Sequence, residues 1–247
     1  MTSHRCVLTV MAFTWLTAPS VHAEEQAALV RSTTADLNGD GKPEAISVKG
    51  NEKNGDFDFV LTVGTATHRM KVGAEVLGLS LLDLDSSDKR KEVAVHSGMT
   101  DTDNIALVFR YDGKSLEPLG SVPALTEVKG NGIILSDSWH GFWNGRDKYT
   151  VDPKTQRLTL VPQEFYYVGQ EATVRESFPI TQTRSDKKPV AQLAVGSRIQ
   201  VVAATRVPVP GSPHTAFAYL VKSSTGLMGW TTPEVLSAKT DGLPWAG

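Results

Sequence analysis

The chain of 247 residues carries 25 basic and 27 acidic residues, a net charge of −2, and 40% of its residues are apolar. This length and apolar content suffice for two modest domains or for one large all-β domain. The nearly neutral charge, with no basic stripe, argues against nucleic acid and anionic membrane surfaces as partners.

Residues 1–23 are typical of a secretory signal peptide. A short basic start precedes an apolar run at 6–16, and the small residues Val21 and Ala23 precede Glu24. The run is too short to cross a membrane comfortably, so we expect export to the periplasm or the extracellular space without membrane insertion. The single cysteine, Cys6, would leave with the signal. The secreted chain would then have neither a disulfide nor a thiol nucleophile.

An acidic loop at residues 36–44 places oxygen-bearing side chains at alternate positions, and a glycine within it permits a sharp turn. Ca²⁺, which prefers about six to eight oxygen ligands, is the cation expected in such a loop. The predicted calcium ligands are Asp36, Asn38, Asp40, the carbonyl of Lys42, and Glu44. The segment is not an EF-hand, because its twelfth position is Ser47 and the following residues alternate like a strand. A polar turn without metal is the alternative.

Four strand-like runs follow between residues 45 and 82, after which the pattern restarts. Asp83 lies 47 residues after Asp36. Two valines lie ten and twelve residues after Asp83, just as Ile46 and Val48 lie ten and twelve residues after Asp36. Four strands in about 45 residues is the spacing of a propeller blade. The pattern therefore predicts a repeated β unit.

The second acidic segment is a poorer metal site than the first, because Ser87 and Lys91 stand where the first loop has Asp40 and Glu44. A solvated turn of the same shape is one interpretation. The other is a second metal loop, with the candidate ligands Asp83, Asp85, Asp88 and Glu92.

The Asp-x-Asn-x-Asp-Gly-x-x-Glu loop that runs into an alternating strand resembles the FG-GAP/VCBS repeats of integrin-α-like β-propellers. The resemblance implies Ca²⁺ in the first loop and a β-repeat domain over residues 24–177. A closed propeller needs roughly four or more blades, and the sequence indicates two units and a fragment. We therefore expect an incomplete propeller-like or sandwich assembly, or a ring completed by another chain.

The densest aromatic cluster of the chain follows the second unit and contains Trp139, Phe142 and Trp143. Two interpretations are open. The cluster is an exposed platform that stacks on sugar rings or a peptide, or it is a core plug, as is usual for large aromatic residues.

Five short strand-like runs between residues 180 and 231 predict a small barrel. The Gly-Leu-x-Gly-Trp sequence at 226–230 resembles the bacterial SH3 (SH3b) domain, here assigned to residues 178–247. The resemblance implies a targeting or ligand-binding module, often one directed at cell-wall peptides. Tyr219 and Trp230 are candidate ligand contacts, although core packing is an equal alternative for Trp230.

The sequence shows no pattern of an enzyme active site. The histidines are scattered singly, without the spacing of a zinc hydrolase, and no serine lies in a nucleophile elbow. We therefore predict an all-β, calcium-stabilised binding protein, not an enzyme, whose partner is a protein or a cell-envelope glycan or peptide. The alternatives are a hydrolase of envelope polymers that uses carboxylates of the repeat region, and an inhibitor or assembly partner of another envelope enzyme.

Overall fold

The computed structural model describes residues 29–99, 104–185, 187–212 and 215–245. Within these ranges the regular structure consists of antiparallel β-sheets and one short helix, which confirms the all-β prediction. The predicted signal peptide at 1–23 lies outside the described residues. No helix in the described part is both long and apolar enough to cross a bilayer.

The first sheet is an antiparallel meander in the order β1-β2-β3-β4. Its strands are β1 (Ser32–Ala35), β2 (Glu44–Lys53), β3 (Asp56–Val63) and β4 (Ala66–Val72). Apolar residues alternate along β2 and β3, so that one face of the sheet is buried. The β2–β3 turn is an Asn54-Gly55 pair with positive φ at both residues, as a tight hairpin requires.

The second sheet repeats the meander in the order β5-β6-β7-β8. Its strands are β5 (Val76–Leu82), β6 (Glu92–Ser97), β7 (Ile105–Tyr111) and β8 (Leu116–Pro123). Every residue of β6 is buried, which means that both faces of this sheet are covered.

A third four-stranded meander occupies the region in which the sequence indicates only a fragment. Its strands are β9 (Leu125–Val128), β10 (Ile133–Trp139), β11 (Asn144–Val151) and β12 (Leu158–Leu160). The unit lacks the acidic loop that marks the other two, because a short Gly130-Asn131-Gly132 turn joins β9 to β10. Its outer strands are also too short to show a clear period.

The three meanders stack face to face around β6. Val93 and Val95 pack in a core shared with the first sheet, whereas Ala94 packs in a core shared with the third. Matching backbone hydrogen bonds join successive units. The N–H of Lys91 donates to the carbonyl of Leu37 at 3.1 Å, and the N–H of Gly132 donates to the carbonyl of Leu84 at 2.6 Å.

The outer face of the first sheet is mainly polar. One cross-strand row on this face consists of four hydroxyl residues, Ser32, Ser47, Thr62 and Thr67. Lysine and arginine side chains flank the row. A face of this composition presents little apolar surface to a further sheet, so the first meander is suited to be the end of a stack.

The C-terminal sheet has seven strands in the open order β15-β14-β18-β17-β16-β13-β19. They are β13 (Tyr166–Val174), β14 (Phe178–Thr181), β15 (Pro189–Leu193), β16 (Arg198–Pro208), β17 (Thr215–Ser223), β18 (Met228–Thr231) and β19 (Thr240–Asp241), and helix α1 (Pro233–Lys239) precedes β19. These elements share one core. Strand β13 lies before residue 178, the predicted start of the C-terminal domain, yet it pairs with β16. The domain boundary at residue 178 stays a prediction.

A buried polar contact joins the third meander to the C-terminal sheet. Asp147 on β11 is 3% exposed and accepts hydrogen bonds from the Tyr166 hydroxyl at 2.7 Å and from Nη2 of Arg206 at 2.9 Å. The guanidinium of Arg206 also lies over the rings of Tyr166 and Phe217. The carboxylate is thereby paired and hydrogen-bonded, as burial of a charge requires.

Replacing Asp147 by Asn should destabilise the protein by about 2–4 kcal/mol, because Arg206 loses its counter-charge in a largely buried site. Thermal or urea unfolding measures the change. The matched control is Asp137→Asn, which removes a more exposed pair with Arg146 and should cost no more than about 1 kcal/mol. Equal effects of the two substitutions would show that the Asp147 contact does not hold the two regions together.

His140 provides a pH-dependent contribution at the same junction. Burial, and then the positive charge of Arg206, lower its pKa from the ordinary 6.5, and its Nε2 has no hydrogen-bond partner among the described residues. The folded protein therefore favours the neutral ring. This stabilisation is present above pH 6.5 and is lost as the pH falls toward the folded-state pKa.

We expect the free energy of unfolding of the wild-type protein to fall as the pH drops below 6.5, and that of the His140→Phe variant to fall less, because Phe cannot gain a proton. Denaturant midpoints across this pH range measure the difference. His96, whose pKa burial also lowers, should leave a residual slope in the variant. Parallel pH profiles for the two proteins would contradict the assignment to His140.

Candidate metal centre

The loop between β1 and β2 is ordered by its own acidic side chains. Both carboxylate oxygens of Asp36 accept backbone N–H groups, from Gly39 and from Gly41, each at 2.8 Å. Asp40 accepts the N–H of Lys42 at 2.8 Å, and Glu44 accepts the N–H of Leu37 at 2.9 Å. These bonds bend the loop back on itself.

The curvature brings three of the predicted ligands together. Asp36, Asp40 and Glu44 each offer a carboxylate oxygen, and these oxygens lie within 4.8 Å of one another. Asn38 lies between the first two, with its side-chain oxygen accepting the N–H of Asp40 at 2.9 Å. Lys42, the predicted carbonyl ligand, belongs to the same loop. The structure therefore places all five predicted residues in one turn.

Two glycines make this turn feasible. Gly39 and Gly41 have φ values of +78° and +85°, in the left-handed region that only glycine enters readily. A Cβ atom at residue 39 would also lie 3.1 Å from the Cβ of Lys89, on the neighbouring unit. The first loop therefore combines tight curvature with close packing on the second.

The donor set fits a hard cation. The hydrogen bonds within the loop involve both oxygens of Asp40 and one of Glu44, and every carboxylate oxygen has a second lone pair. Asp112, in the hairpin of the second sheet, adds a further negative charge. Burial, followed by the charges of Glu44, Asp112 and Asp40, raises the pKa of Tyr111. A Ca²⁺ ion would relieve this accumulation of negative charge.

The second acidic loop, between β5 and β6, uses its acids differently. Asp85 accepts the N–H and the hydroxyl of Ser87, and Asp88 accepts the N–H of Arg90. The two Ser87 hydrogen bonds, the side-chain bond first, lower the pKa of Asp85. Asp83 is exposed at the start of the loop. These contacts are typical of solvated Asx turns.

Glu92 is the counterpart of Glu44 in this second loop, and it already has a cation. Its carboxylate accepts the N–H of Leu84 at 3.3 Å, as Glu44 accepts that of Leu37. Nε and Nη2 of Arg110 then donate to Oε1 of Glu92 at 3.0 and 2.9 Å. Burial raises the pKa of Glu92 although the ion pair opposes that shift. In the second unit a guanidinium therefore stands beside the glutamate at the end of the loop.

The predicted aromatic ligand contacts separate into buried and accessible residues. Phe142, Trp143 and Tyr219 are at most 2% exposed and belong to the C-terminal core, where Nε1 of Trp143 donates to the Tyr219 hydroxyl. Trp139 is half-buried, and its Nε1 has no hydrogen-bond partner among the described residues. Trp230 is half-buried and lines a surface cavity.

Sequence reasoning did not identify the neighbours of Trp230. Arg184 places its guanidinium 5.7 Å from the centre of the indole, and Phe165, which is 50% exposed, stacks beside the same ring. No short motif marks these residues, because they lie on three separate segments. The closest indication in the sequence is the aromatic Phe165 beside the charged Glu164, just before β13, and both side chains are exposed in the structure.

A scan against protein-family models and a search of curated proteins found no match for this chain. The resemblances to FG-GAP/VCBS repeats and to bacterial SH3 domains therefore stay predictions from the sequence.

Asp36→Asn and Glu44→Gln should each remove most of the calcium-dependent rise in melting temperature, because each replaces a charged ligand by a neutral amide. Asp36→Asn also loses one of the two backbone hydrogen bonds that Asp36 accepts, so each variant is compared with itself in the absence of Ca²⁺. Differential scanning calorimetry with and without Ca²⁺ measures this rise. Asp85→Asn, in the second loop, is the matched control and should respond to Ca²⁺ like the wild type. The site would be wrong if all three variants kept the full response.

Proposed function

We propose that this protein is a secreted, calcium-stabilised binding module that recognises a protein or a cell-envelope glycan or peptide. In this proposal the repeat region is of the FG-GAP/VCBS type and the C-terminal sheet is of the bacterial SH3 type. The observation that carries the proposal is the convergence of Asp36, Asp40 and Glu44 in a loop that packs on the next unit. Calcium is structural in this function.

The position of the loop supports a structural role for the ion. The loop connects two strands of the first sheet, and its Leu37 is 1% exposed and accepts a backbone hydrogen bond from the second unit. A cation bound by the flanking acids would fix the loop and the leucine together. It would stabilise the folded state by RT ln(1 + [Ca²⁺]/Kd), or about 2.7 kcal/mol at a hundredfold excess over Kd.

Ligand recognition is assigned to the C-terminal sheet because that sheet carries accessible aromatic and cationic residues. Trp230, Arg184 and Phe165 form a contiguous surface there. Aromatic and arginine side chains are the residues most often enriched where proteins bind partners. The outer face of the first sheet is hydroxyl-rich instead and lacks such a cluster among its described residues.

Thermal unfolding in EGTA, in millimolar Ca²⁺ and in millimolar Mg²⁺ tests the calcium part of the proposal. With Ca²⁺ at a hundredfold excess over Kd, we expect the melting temperature to rise by about 5–10 °C. Mg²⁺ should have a smaller effect, since it requires a stricter octahedral geometry. Co-sedimentation with insoluble cell-envelope material tests the recognition part. Identical melting curves in all three solutions would refute stabilisation by calcium.

A further inference from the structure

Two adjoining cavities on the C-terminal sheet form one groove. The first has a volume of about 260 Å³ and the second about 520 Å³. Both are lined by Arg184, Ala218 and Thr232, so the shared residues form the boundary between them. Their combined size is that of a typical ligand site. This surface, from Trp230 to Pro208, is called the barrel groove below.

The first cavity combines an apolar wall with positive charge. Phe178, Trp230 and Val235 supply apolar surface, and Arg184 and Lys239 supply two cations. The described residues that line this cavity include no carboxylate. A ligand that fills it must therefore present apolar groups and can gain from negative ones.

Arg184 is held in place on the wall of the groove. Its guanidinium lies 5.7 Å from the centre of the Trp230 ring, and Nη1 donates to the buried Thr205 hydroxyl at 3.3 Å. Phe165 lies parallel to the same indole, with ring centres 6.5 Å apart and planes 24° apart. These contacts reduce the entropy that Arg184 would lose on binding an anion.

The second cavity is close to electrically neutral. It is lined by Arg184, Arg206 and Glu234, and because Arg206 is already paired with Asp147, Arg184 and Glu234 remain as one charge of each sign. Its remaining wall includes Val207, Pro208 and Phe217. The positive end of the groove is therefore the Arg184–Lys239 end, and the other end is mainly apolar.

We propose that the barrel groove binds an extended peptide segment in which acidic and apolar side chains alternate. Side chains of an extended peptide follow one another about every 3.3 Å along the chain, so acidic groups can reach Arg184 and Lys239 while neighbouring apolar groups enter the cavities. A peptide fits better than a glycan, because a guanidinium and a phenyl ring already lie against the Trp230 indole on which a sugar would stack. This inference rests on the proposed function, to which it adds the chemistry of the partner.

Fluorescence anisotropy with two labelled octapeptides tests the inference. One peptide alternates leucine and glutamate, and the other alternates leucine and lysine. We expect the purified protein to bind the glutamate peptide and to bind it more weakly as salt rises. Because each exposed ion pair contributes only a few-fold in affinity, Arg184→Gln/Lys239→Gln should weaken binding roughly tenfold. The matched control, Lys49→Gln/Arg69→Gln on the outer face of the first sheet, should leave binding unchanged.

The charge-reversed variant Arg184→Glu/Lys239→Glu separates recognition from misfolding, because it should gain affinity for the lysine peptide and an unfolded protein would not. Equal binding of both peptides, failure to bind either one, or no exchange of preference in the reversed variant would overturn the inference. So would binding of a sulfated glycan alone. If the protein sediments with envelope material but binds neither peptide, the assignment of the groove is wrong and the proposed binding function stands. The binding function itself fails if Ca²⁺ does not raise the melting temperature and the protein does not sediment with envelope material.

Discussion

The fold of the repeat region depends on covering both faces of β6. A single four-stranded sheet buries one face at most, whereas every residue of β6 is buried. The valines of this strand require the first sheet, and its Ala94 requires the third. The stack of three sheets is therefore a consequence of one strand that is buried on both sides.

The loops between the first and second strands fix the order of this stack. In both acidic loops the leucine after the first aspartate is 1% exposed, and its carbonyl accepts a backbone hydrogen bond from the following unit. In both, a glutamate accepts the N–H of that leucine. The units differ in the positive partner of the glutamate, which is Arg110 in the second loop. An internal guanidinium supplies the charge without metal, which explains why the second loop can dispense with an acid in the position of Asp40.

A strand could be predicted from the sequence where its bounds depend on residues that are close to it along the chain. The strands Ala66–Val72 and Ile105–Tyr111 can be located from the sequence, because alternation after the Gly64-Thr65 turn defines the first and an apolar run before the Asp112-Gly113 turn defines the second. The third meander was missed because its turn at Gly130 carries no acidic motif. The barrel groove also could not be predicted from the sequence. Arg184 and Trp230 lie 46 residues apart, and they meet because Thr181 pairs with Trp230 across two short strands.

The first acidic loop, at residues 36–44, and the barrel groove lie at opposite ends of a series of contacts. The loop packs on the second unit, the second unit packs on the third, and Asp147 of the third pairs with Arg206 at the wall of the groove. Each contact is either an apolar core or a buried hydrogen bond, so each stabilises its neighbour against unfolding. In the proposed function, an ion at the loop would therefore stabilise the scaffold on which the groove is built, while selectivity would arise from Arg184 and Lys239 themselves.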